Sequence, residues 1–138
     1  MSSENTSPSL AGKRIVIIED EGLSILAFRR ICQQAGLKVV GIASNGKDGV
    51  DLVMKERPDI VLIDINMPVM NGVEAARLIL ERLPVCLIFV TALSEENAQE
   101  QIDQIACHGC VVKPVANEIL IPAIQKAYRQ FQREGAAE

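Results

Sequence analysis

The sequence predicts an α/β fold, built as a doubly wound, five-stranded parallel sheet with five helices. The first observation is that short aliphatic runs alternate with longer stretches of helical pattern along the chain. The second is the run Ile60 to Ile63, which has too little polarity for a half-exposed strand and is typical of a central strand covered on both faces. The third is Asp64, which directly follows that run, at the strand end where open α/β sheets bind ligands.

The boundaries of the elements follow from the residues that interrupt these runs. Gly36 stops the first helix, and Pro58 ends the second because the residue before a proline disfavours helix. Ser94 is the expected N-cap of the fourth helix. Pro122 belongs in a helix's first turn, so the last helix either starts later than Asn117 or bends at Pro122. In chain order the predicted elements are strand 14–18, helix 23–35, strand 37–43, helix 47–56, strand 60–63, helix 73–81, strand 85–90, helix 94–106, strand 110–113 and helix 117–133.

The composition is that of one globular domain. The chain has 138 residues, of which 49% are hydrophobic and 23% charged, so it is long enough for one core and too short for two. We expect the domain to span residues 11–133, between flexible tails at 1–10 and 134–138. Aromatic residues make up only 3% and Trp is absent, so Ile, Val, Leu and Ala must build the core.

The charge and hydropathy of the chain exclude several classes of function. A net charge of −4 gives no electrostatic footprint for nucleic acid or for an anionic membrane surface. The longest apolar runs are far shorter than a bilayer span, and the polar amino terminus contains no apolar signal region. We therefore expect a cytoplasmic protein that binds neither nucleic acid directly nor a membrane. Its four cysteines, at 32, 86, 107 and 110, are expected to be reduced.

Polar side chains are predicted to converge at one edge of the sheet. Glu19 and Asp20 follow the first strand, Asp64 the third and Thr91 the fourth, while Lys113 closes the fifth. The second strand offers no charged residue at this end. A flavodoxin-like strand order, 2-1-3-4-5, accounts for this distribution, because it puts the second strand at the edge and the first beside the third.

This set of side chains suits phosphoryl transfer. Carboxylates of Asp20 and Asp64 would repel each other unless a divalent cation or a proton relieved them, and hard oxygen ligands open to water suit Mg²⁺ better than zinc. A carboxylate is a competent nucleophile towards phosphorus. Phosphoryl transfer needs mainly positioning and charge neutralisation, which Asp20 with Mg²⁺, the Lys113 ammonium and the Thr91 hydroxyl could supply.

At these residues the sequence resembles the receiver domains of two-component response regulators. The resemblance covers roughly residues 12–131, nearly all of the expected domain. Its motifs are weak singly and specific together, because they occur in this order at these strand ends. They are the acidic pair Glu19-Asp20, the segment Pro58 to Pro68 with Asn71-Gly72, the pair Thr91-Ala92, and Lys113-Pro114.

The resemblance implies a role for each matching residue. Asp64 would accept a phosphoryl group from a histidine kinase or a phosphotransfer histidine. Mg²⁺ would be held by Asp20, Asp64 and the backbone carbonyl of Asn66, with Glu19 reaching the metal through water. Lys113 would pair with the phosphoryl group, and Thr91 would hydrogen-bond to it.

Three further positions border this site. The Lys113-Pro114 peptide is expected to be cis by the same resemblance. The side chains at Asn66 and Ala92 would help to set how long the phosphate lasts. Cys110 stands where the family usually has a Phe or Tyr that turns inward as the threonine moves. We therefore predict that this chain signals by moving the loop after Thr91 and the following helix without that ring, or that it switches weakly.

The function expected from these residues is a phosphoacceptor switch that catalyses only its own phosphorylation and dephosphorylation. One alternative is a receiver-like interaction module that is never phosphorylated. Another is the receiver part of a longer regulator with an RNA- or DNA-binding output, which a weak likeness of Leu120 to Ile124 to antiterminator receivers favours. An aspartyl-phosphate phosphatase or a flavin protein of the same architecture is disfavoured, because Glu19-Asp20-Glu21 supplies neither an Asp-x-Asp nucleophile nor a Ser-rich phosphate loop.

Two other features have mainly structural interpretations. Cys107-His108-Gly109-Cys110 lacks the four ligands of a zinc site and joins a helix end to a strand, so packing and loop roles are expected of it. Acidic residues on the fourth helix and basic ones on the last helix suggest a hypothetical homodimer through the fourth helix, fifth strand and fifth helix. These residues are Glu95, Glu96, Glu100 and Asp103 on one side and Lys126, Arg129 and Arg133 on the other.

Overall fold

The computed structural model describes residues 9–67, 69–92 and 98–137. Within these residues, five strands and five helices alternate along the chain. They are β1 (Arg14–Ile18), α1 (Gly22–Gln34), β2 (Lys38–Ala43), α2 (Gly46–Glu56), β3 (Ile60–Asp64), α3 (Gly72–Arg82), β4 (Cys86–Ala92), α4 (Ala98–Asp103), β5 (Gly109–Lys113) and α5 (Asn117–Ala137).

The sheet is parallel throughout and has the order β2-β1-β3-β4-β5, as predicted. Its register fixes which strand ends are neighbours: Ile18 of β1 lies opposite Ile63 of β3, and Asp64 lies opposite Val90 of β4. The backbone N–H of Glu19 donates to the carbonyl of Ala43 at 2.9 Å, which continues the pairing of β1 with β2 by one residue. The acidic residues after β1 and the carboxylate that ends β3 are therefore placed side by side.

The strand β3 is buried on both faces, as its aliphatic run predicted. Ile60 and Leu62 belong to the core under α1 and α5, whereas Val61 and Ile63 belong to the core under α2 and α3. None of the four side chains is more than 1% exposed. Each contributes about 1.5–3 kcal/mol by leaving water, so this strand anchors both layers and holds Asp64 in a fixed place.

The ordered domain is longer at both ends than the sequence predicted. Leu10 is only 4% exposed and packs into the core under α1 and α5, so the predicted flexible tail at 1–10 is wrong at this residue; residues 1–8 lie outside the described residues. The helix α5 runs to Ala137, past its predicted end at Arg133 and into the predicted flexible tail; Glu138 lies outside the described residues. The extra turn is held by a contact between His108 and Glu134, with His108 Nε2 2.9 Å from Glu134 Oε1.

The last two helices differ from their predicted bounds. The helix α5 begins at Asn117, the start given in its predicted bounds, and continues through Pro122; of the two alternatives for Pro122, the later start is excluded. Proline has no N–H to offer the carbonyl of Glu118, but Glu118 is exposed, and water can take the place of the missing donor. The described part of α4 ends at Asp103 rather than near 106, because the chain turns early to let the N–H of His108 donate to Leu87 O at 2.8 Å. The predicted N-cap Ser94 lies outside the described residues.

The structure was also searched for membrane-spanning segments. In the part of the chain that it describes, no helix combines the length and the apolar character needed to cross a bilayer.

Candidate functional site

Three carboxylates meet at the carboxyl edge of the sheet. Glu19 and Asp20 follow β1, and Asp64 is the last residue of β3. One carboxylate oxygen from each lies within 4.8 Å of the others. Glu19 and Asp64 are buried, while Asp20 is exposed, so the cluster faces water on one side only. The sequence prediction that these three residues converge is thus supported by their positions.

Lys113, at the end of β5, lies at the centre of this group. Its Nζ donates to Glu19 Oε2 at 3.0 Å and to Asp64 Oδ2 at 3.1 Å. A third contact, to Glu21 Oε1, is 3.4 Å long. The Lys113 side chain is only 19% exposed, so these ion pairs are screened by water less than pairs on an open surface would be.

The loop after Asp64 is fixed by close approaches of the backbone. The N–H of Asn66 donates to Asp64 Oδ1 at 3.2 Å, and the N–H of Gly72 donates to Ile65 O at 2.7 Å. A Cβ atom on Gly72 would lie 2.0 Å from Asp64 O, which only glycine avoids. Val69, further along the loop, has a left-handed backbone with φ 70°, an uncommon conformation for a β-branched residue.

The same loop is joined to the start of α2. Asn45 caps that helix by accepting from the N–H of Asp48 at 2.8 Å. The next residue, Gly46, donates its N–H to Met70 O at 3.1 Å. A Cβ on Gly46 would lie 2.1 Å from that carbonyl oxygen, so the loop and the helix are in direct backbone contact.

The electrostatics of the cluster are dominated by the burial of Glu19. The pKa of Glu19 is raised from 4.5 to about 7: burial raises it most, the contact with Lys113 lowers it, and the neighbouring Asp64 carboxylate raises it further. Burial also lowers the pKa of Lys113, but its bonds to Glu19 and Asp64 outweigh that effect, so the net shift is upward. The ammonium therefore stays charged, while Glu19 can take up a proton close to neutral pH.

The donor set fits a hard divalent cation. Oε1 of Glu19 is buried and has no hydrogen-bond partner among the described residues. This oxygen is therefore available to interact with a bound ion or its water. The three acidic residues present oxygen ligands at one point, and no cysteine or histidine belongs to the group. Carboxylate oxygens that face water are what Mg²⁺ prefers. The Asp/Glu cluster is thus a suitable acidic pocket for such an ion.

A cavity of about 340 Å³ opens in front of the cluster. It is lined by six residues, among them most of the predicted site: Asp20, Glu21, Asp64, Asn66, Ala92 and Lys113. Thr91 is buried next to them, but its hydroxyl donates to Ala92 O at 3.4 Å and makes no hydrogen bond with the acidic residues that the structure describes. Asn66 and Ala92 border the cavity, as the resemblance implied.

The remaining predicted positions lie on β5 and just after it. The peptide between Lys113 and Pro114 is cis, as expected. Cys110 is exposed on β5, opposite Phe89 of β4. No aromatic side chain occupies that position on β5. The loop that would move with Thr91, residues 93–97, lies outside the described residues, so the predicted way of switching stays a prediction.

The segment Cys107 to Cys110 serves packing. All four cysteines are free thiols, and burial raises the pKa of both Cys107 and Cys110, which makes them poor thiolates. His108 Nδ1 accepts the N–H of Leu87 at 3.1 Å, and the edge of its ring meets Phe131. Its side chain is only 5% exposed. The expected structural role of this segment agrees with these contacts.

Sequence reasoning missed the role of one residue at this site, Glu21. Its carboxylate contacts Lys113 and lines the cavity. The signal was present: three consecutive carboxylates at a strand's carboxyl end. Ser24, which donates to Glu21 Oε1 at 2.5 Å, had no signal of its own.

A parallel sheet in this order, with an acidic cluster and a lysine at its carboxyl edge, defines the class of receiver domains. The sequence matches the family described as response regulator receiver domain over residues 15–125, and the chain belongs to that family. Receiver domains are signalling switches of two-component systems. They interact with histidine kinases or phosphotransfer proteins and with effectors.

Individual relatives agree with this assignment. The chain is 31% identical over 126 residues to the transcriptional regulatory protein PdtaR of Mycobacterium tuberculosis, a match that covers 91% of this chain and 62% of PdtaR. It is 35% identical over 103 residues to a protein-glutamate methylesterase/protein-glutamine glutaminase of Archaeoglobus fulgidus, which covers 73% of this chain and 30% of that protein. The chain thus spans less than two thirds of either relative.

A solved structure gives the same result for the fold. The signal receiver domain of a modulated diguanylate cyclase from Desulfovibrio desulfuricans superposes with a TM-score of 0.83 at 27% identity. The superposition covers 89% of this chain and 98% of that domain. The similarity therefore extends over the whole of that receiver domain.

Proposed function

We propose that Asp64 is the phosphoacceptor of this receiver domain. One observation carries the proposal: Asp64 Oδ2 lies 3.1 Å from Lys113 Nζ, inside an acidic cluster that opens to a cavity. A buried strand holds this carboxylate in place, and the Asn66 N–H orients its other oxygen. Such a carboxylate is positioned to act as a nucleophile, with a cation beside it to neutralise the incoming charge.

In the proposed reaction, a carboxylate oxygen of Asp64 attacks the phosphorus of a phosphohistidine. An O–P bond forms, the P–N bond breaks, and the electron pair of that bond stays on the histidine nitrogen. Lys113 stabilises the negative charge on the phosphoryl oxygens. Thr91 would turn its hydroxyl from the Ala92 carbonyl to a phosphoryl oxygen. Hydrolysis later returns the carboxylate and releases inorganic phosphate.

The acidic residues would hold Mg²⁺ next to the phosphoacceptor. Asp20, Asp64 and the backbone carbonyl of Asn66 are the proposed direct ligands, and Glu19 would act through a water molecule. When bound, the ion neutralises negative charge on the phosphoryl oxygens. The partnerless Oε1 of Glu19 supports this assignment, because a buried carboxylate oxygen without a hydrogen bond is costly.

The partners would be a histidine kinase or a histidine phosphotransfer protein upstream and an effector protein downstream. Two exposed leucines on α1, Leu23 at 79% and Leu26 at 57%, support a docking surface for the upstream partner. Leu23 also lines a cavity of about 410 Å³ that reaches Lys113 and Pro114. In this role the domain is a cytoplasmic switch whose partner binding depends on phosphorylation, and it turns over no other substrate.

Labelling with acetyl phosphate tests the proposal. With Mg²⁺, we expect intact-protein mass spectrometry to show one added phosphoryl group on the wild type and none on Asp64→Asn. Asp48→Asn, an exposed aspartate at the start of α2, is the matched control and should be labelled like the wild type. Labelling of Asp64→Asn, or of neither protein, would contradict the assignment.

A second candidate is the receiver part of a longer regulator with a nucleic-acid-binding output. It is favoured by the similarity to PdtaR, a transcriptional regulatory protein that matches 91% of this chain. Both candidates share the phosphoacceptor, so they differ in what reads the signal. A third candidate, an interaction module independent of phosphorylation, requires the labelling experiment to fail.

A further inference from the structure

The ammonium of Lys113 is fully committed in the resting protein. An ammonium has three N–H donors, and Lys113 Nζ contacts three different carboxylates, those of Glu19, Asp64 and Glu21. A phosphoryl group on Asp64 would need at least one of these donors. One existing contact must therefore be released before Lys113 can bind a phosphoryl oxygen.

The contact with Glu19 is not the one released. Glu19 is only 1% exposed, and its Oε2 accepts both from Lys113 and from the backbone N–H of Glu21, at 3.0 and 3.1 Å. Breaking its bond to Lys113 would leave a buried carboxylate without a direct cationic partner, because Glu19 is proposed to reach Mg²⁺ only through water, and that is a costly state. Asp64 is the phosphoacceptor itself, so Lys113 must remain beside it.

The contact with Glu21 is the one that can be released. It is the longest of the three, at 3.4 Å, and the Glu21 side chain is 58% exposed, so water can replace the ammonium. The Glu21 carboxylate is nevertheless held in place, because Ser24 Oγ donates to the same oxygen at 2.5 Å.

We propose that Glu21 is a positioning residue that holds Lys113 in its resting place and competes with the phosphoryl group for its third N–H. The proposal rests on Asp64 being the phosphoacceptor. Glu21 acts only through Lys113. Its removal should leave the acidic cluster intact and make Lys113 easier to recruit.

The expected effect is an increase in affinity for a phosphoryl analogue. Exposed ion pairs are weak, so loss of this competitor should tighten binding by about two- to fivefold. Ser24→Ala keeps the negative charge but frees the carboxylate to move away. Its effect should therefore lie between those of the wild type and Glu21→Gln.

The experiment measures the binding of beryllofluoride in the presence of Mg²⁺ by calorimetry. The variants are Glu21→Gln, Ser24→Ala and the control Glu118→Gln, which removes another exposed carboxylate, from the first turn of α5. In parallel, ¹⁵N spectra of the Lys113 ammonium without beryllofluoride report the resting contact directly. We expect the Lys113 signal to shift in Glu21→Gln and Ser24→Ala and to stay unchanged in Glu118→Gln.

The outcomes separate this inference from the proposed function. If Glu21→Gln binds beryllofluoride as tightly as Glu118→Gln and its Lys113 signal does not shift, the role of Glu21 is overturned. The assignment of Asp64 as phosphoacceptor would be unaffected. Wild-type protein that binds no beryllofluoride would instead overturn the proposed function. A two- to fivefold gain in Glu21→Gln, with the smaller gain in Ser24→Ala, supports the competition.

Discussion

Replacing Lys113 by methionine tests the charge balance of the whole site. Methionine keeps much of the aliphatic stem and removes the ammonium, so packing changes little. The variant leaves Glu19 buried beside Asp64, with Glu21 close by and no cation among them. Repulsion and lost solvation should then destabilise the folded state wherever these groups are ionised.

The magnitude follows from burial and distance. Removing one partner of a buried ion pair costs about 3–5 kcal/mol. Lys113 retains 19% exposure and Glu19 can escape its charge by taking up a proton, so we expect about 2–3 kcal/mol at alkaline pH. Without the ammonium, the pKa of Glu19 rises above about 7. The loss should therefore shrink as the pH falls below neutrality, because the protonated side chain needs no counter-charge.

Urea unfolding followed by circular dichroism measures this loss; the chain has no Trp for fluorescence. Wild type and Lys113→Met are compared without Mg²⁺ at an alkaline and a mildly acidic pH. Lys126→Met, which removes an exposed lysine from α5, is the control and should change the free energy of unfolding by less than about 0.5 kcal/mol. A loss that is independent of pH, or equal to that of Lys126→Met, would refute the reasoning.

Three further predictions concern Glu19, Gly46 and His108. Because the pKa of Glu19 is raised to about 7, its contribution to stability without Mg²⁺ is largest below pH 4.5 and is lost as the pH rises through about 7. Mg²⁺ binding should weaken below about pH 7, where Glu19 is protonated. Calorimetry across this range checks both, and a flat profile counts against them. Gly46→Ala should lower the free energy of unfolding by about 2 kcal/mol or more, because its Cβ would clash with the carbonyl oxygen of Met70. Gly135→Ala, whose Cβ would meet open space on α5, should not lower it. Denaturant unfolding of the two variants tests this difference. His108→Ala leaves the buried N–H of Leu87 without its acceptor, so we expect a loss of about 1–3 kcal/mol and faster hydrogen exchange at that amide; unchanged exchange would contradict the contact.

The features that could be predicted from the sequence are local ones. The four aliphatic residues from Ile60 to Ile63 predict a strand covered on both faces without information from any other segment. All four are buried in the structure. The position of Asp64 after that strand is equally local. The strand order could be predicted because charged residues stand at the ends of strands that are neighbours in the sheet. Lys113 was assigned to the site for the same reason, since it ends the fifth strand.

The features that were missed depend on contacts between distant segments. Glu21 and Lys113 are 92 residues apart, and their pairing depends on how α1 meets β5. Leu10 lies between Ser9 and Ala11, outside any run of large aliphatic residues, so periodicity gave no reason to place it in the core. The extra turn of α5 is held by a hydrogen bond from His108 to Glu134. The residue pattern of the helix itself does not predict this contact.

The backbone contact between Gly46 and Met70 has a mechanical consequence. The loop after Asp64 and the start of α2 share a hydrogen bond and leave no room for a side chain between them. We therefore expect a shift of this loop to disturb the start of α2, on the flank of the sheet that carries β2. Cys110 stands where the family usually has a Phe or Tyr. The backbone contact between Gly46 and Met70 still connects the loop after Asp64 to this flank of the sheet.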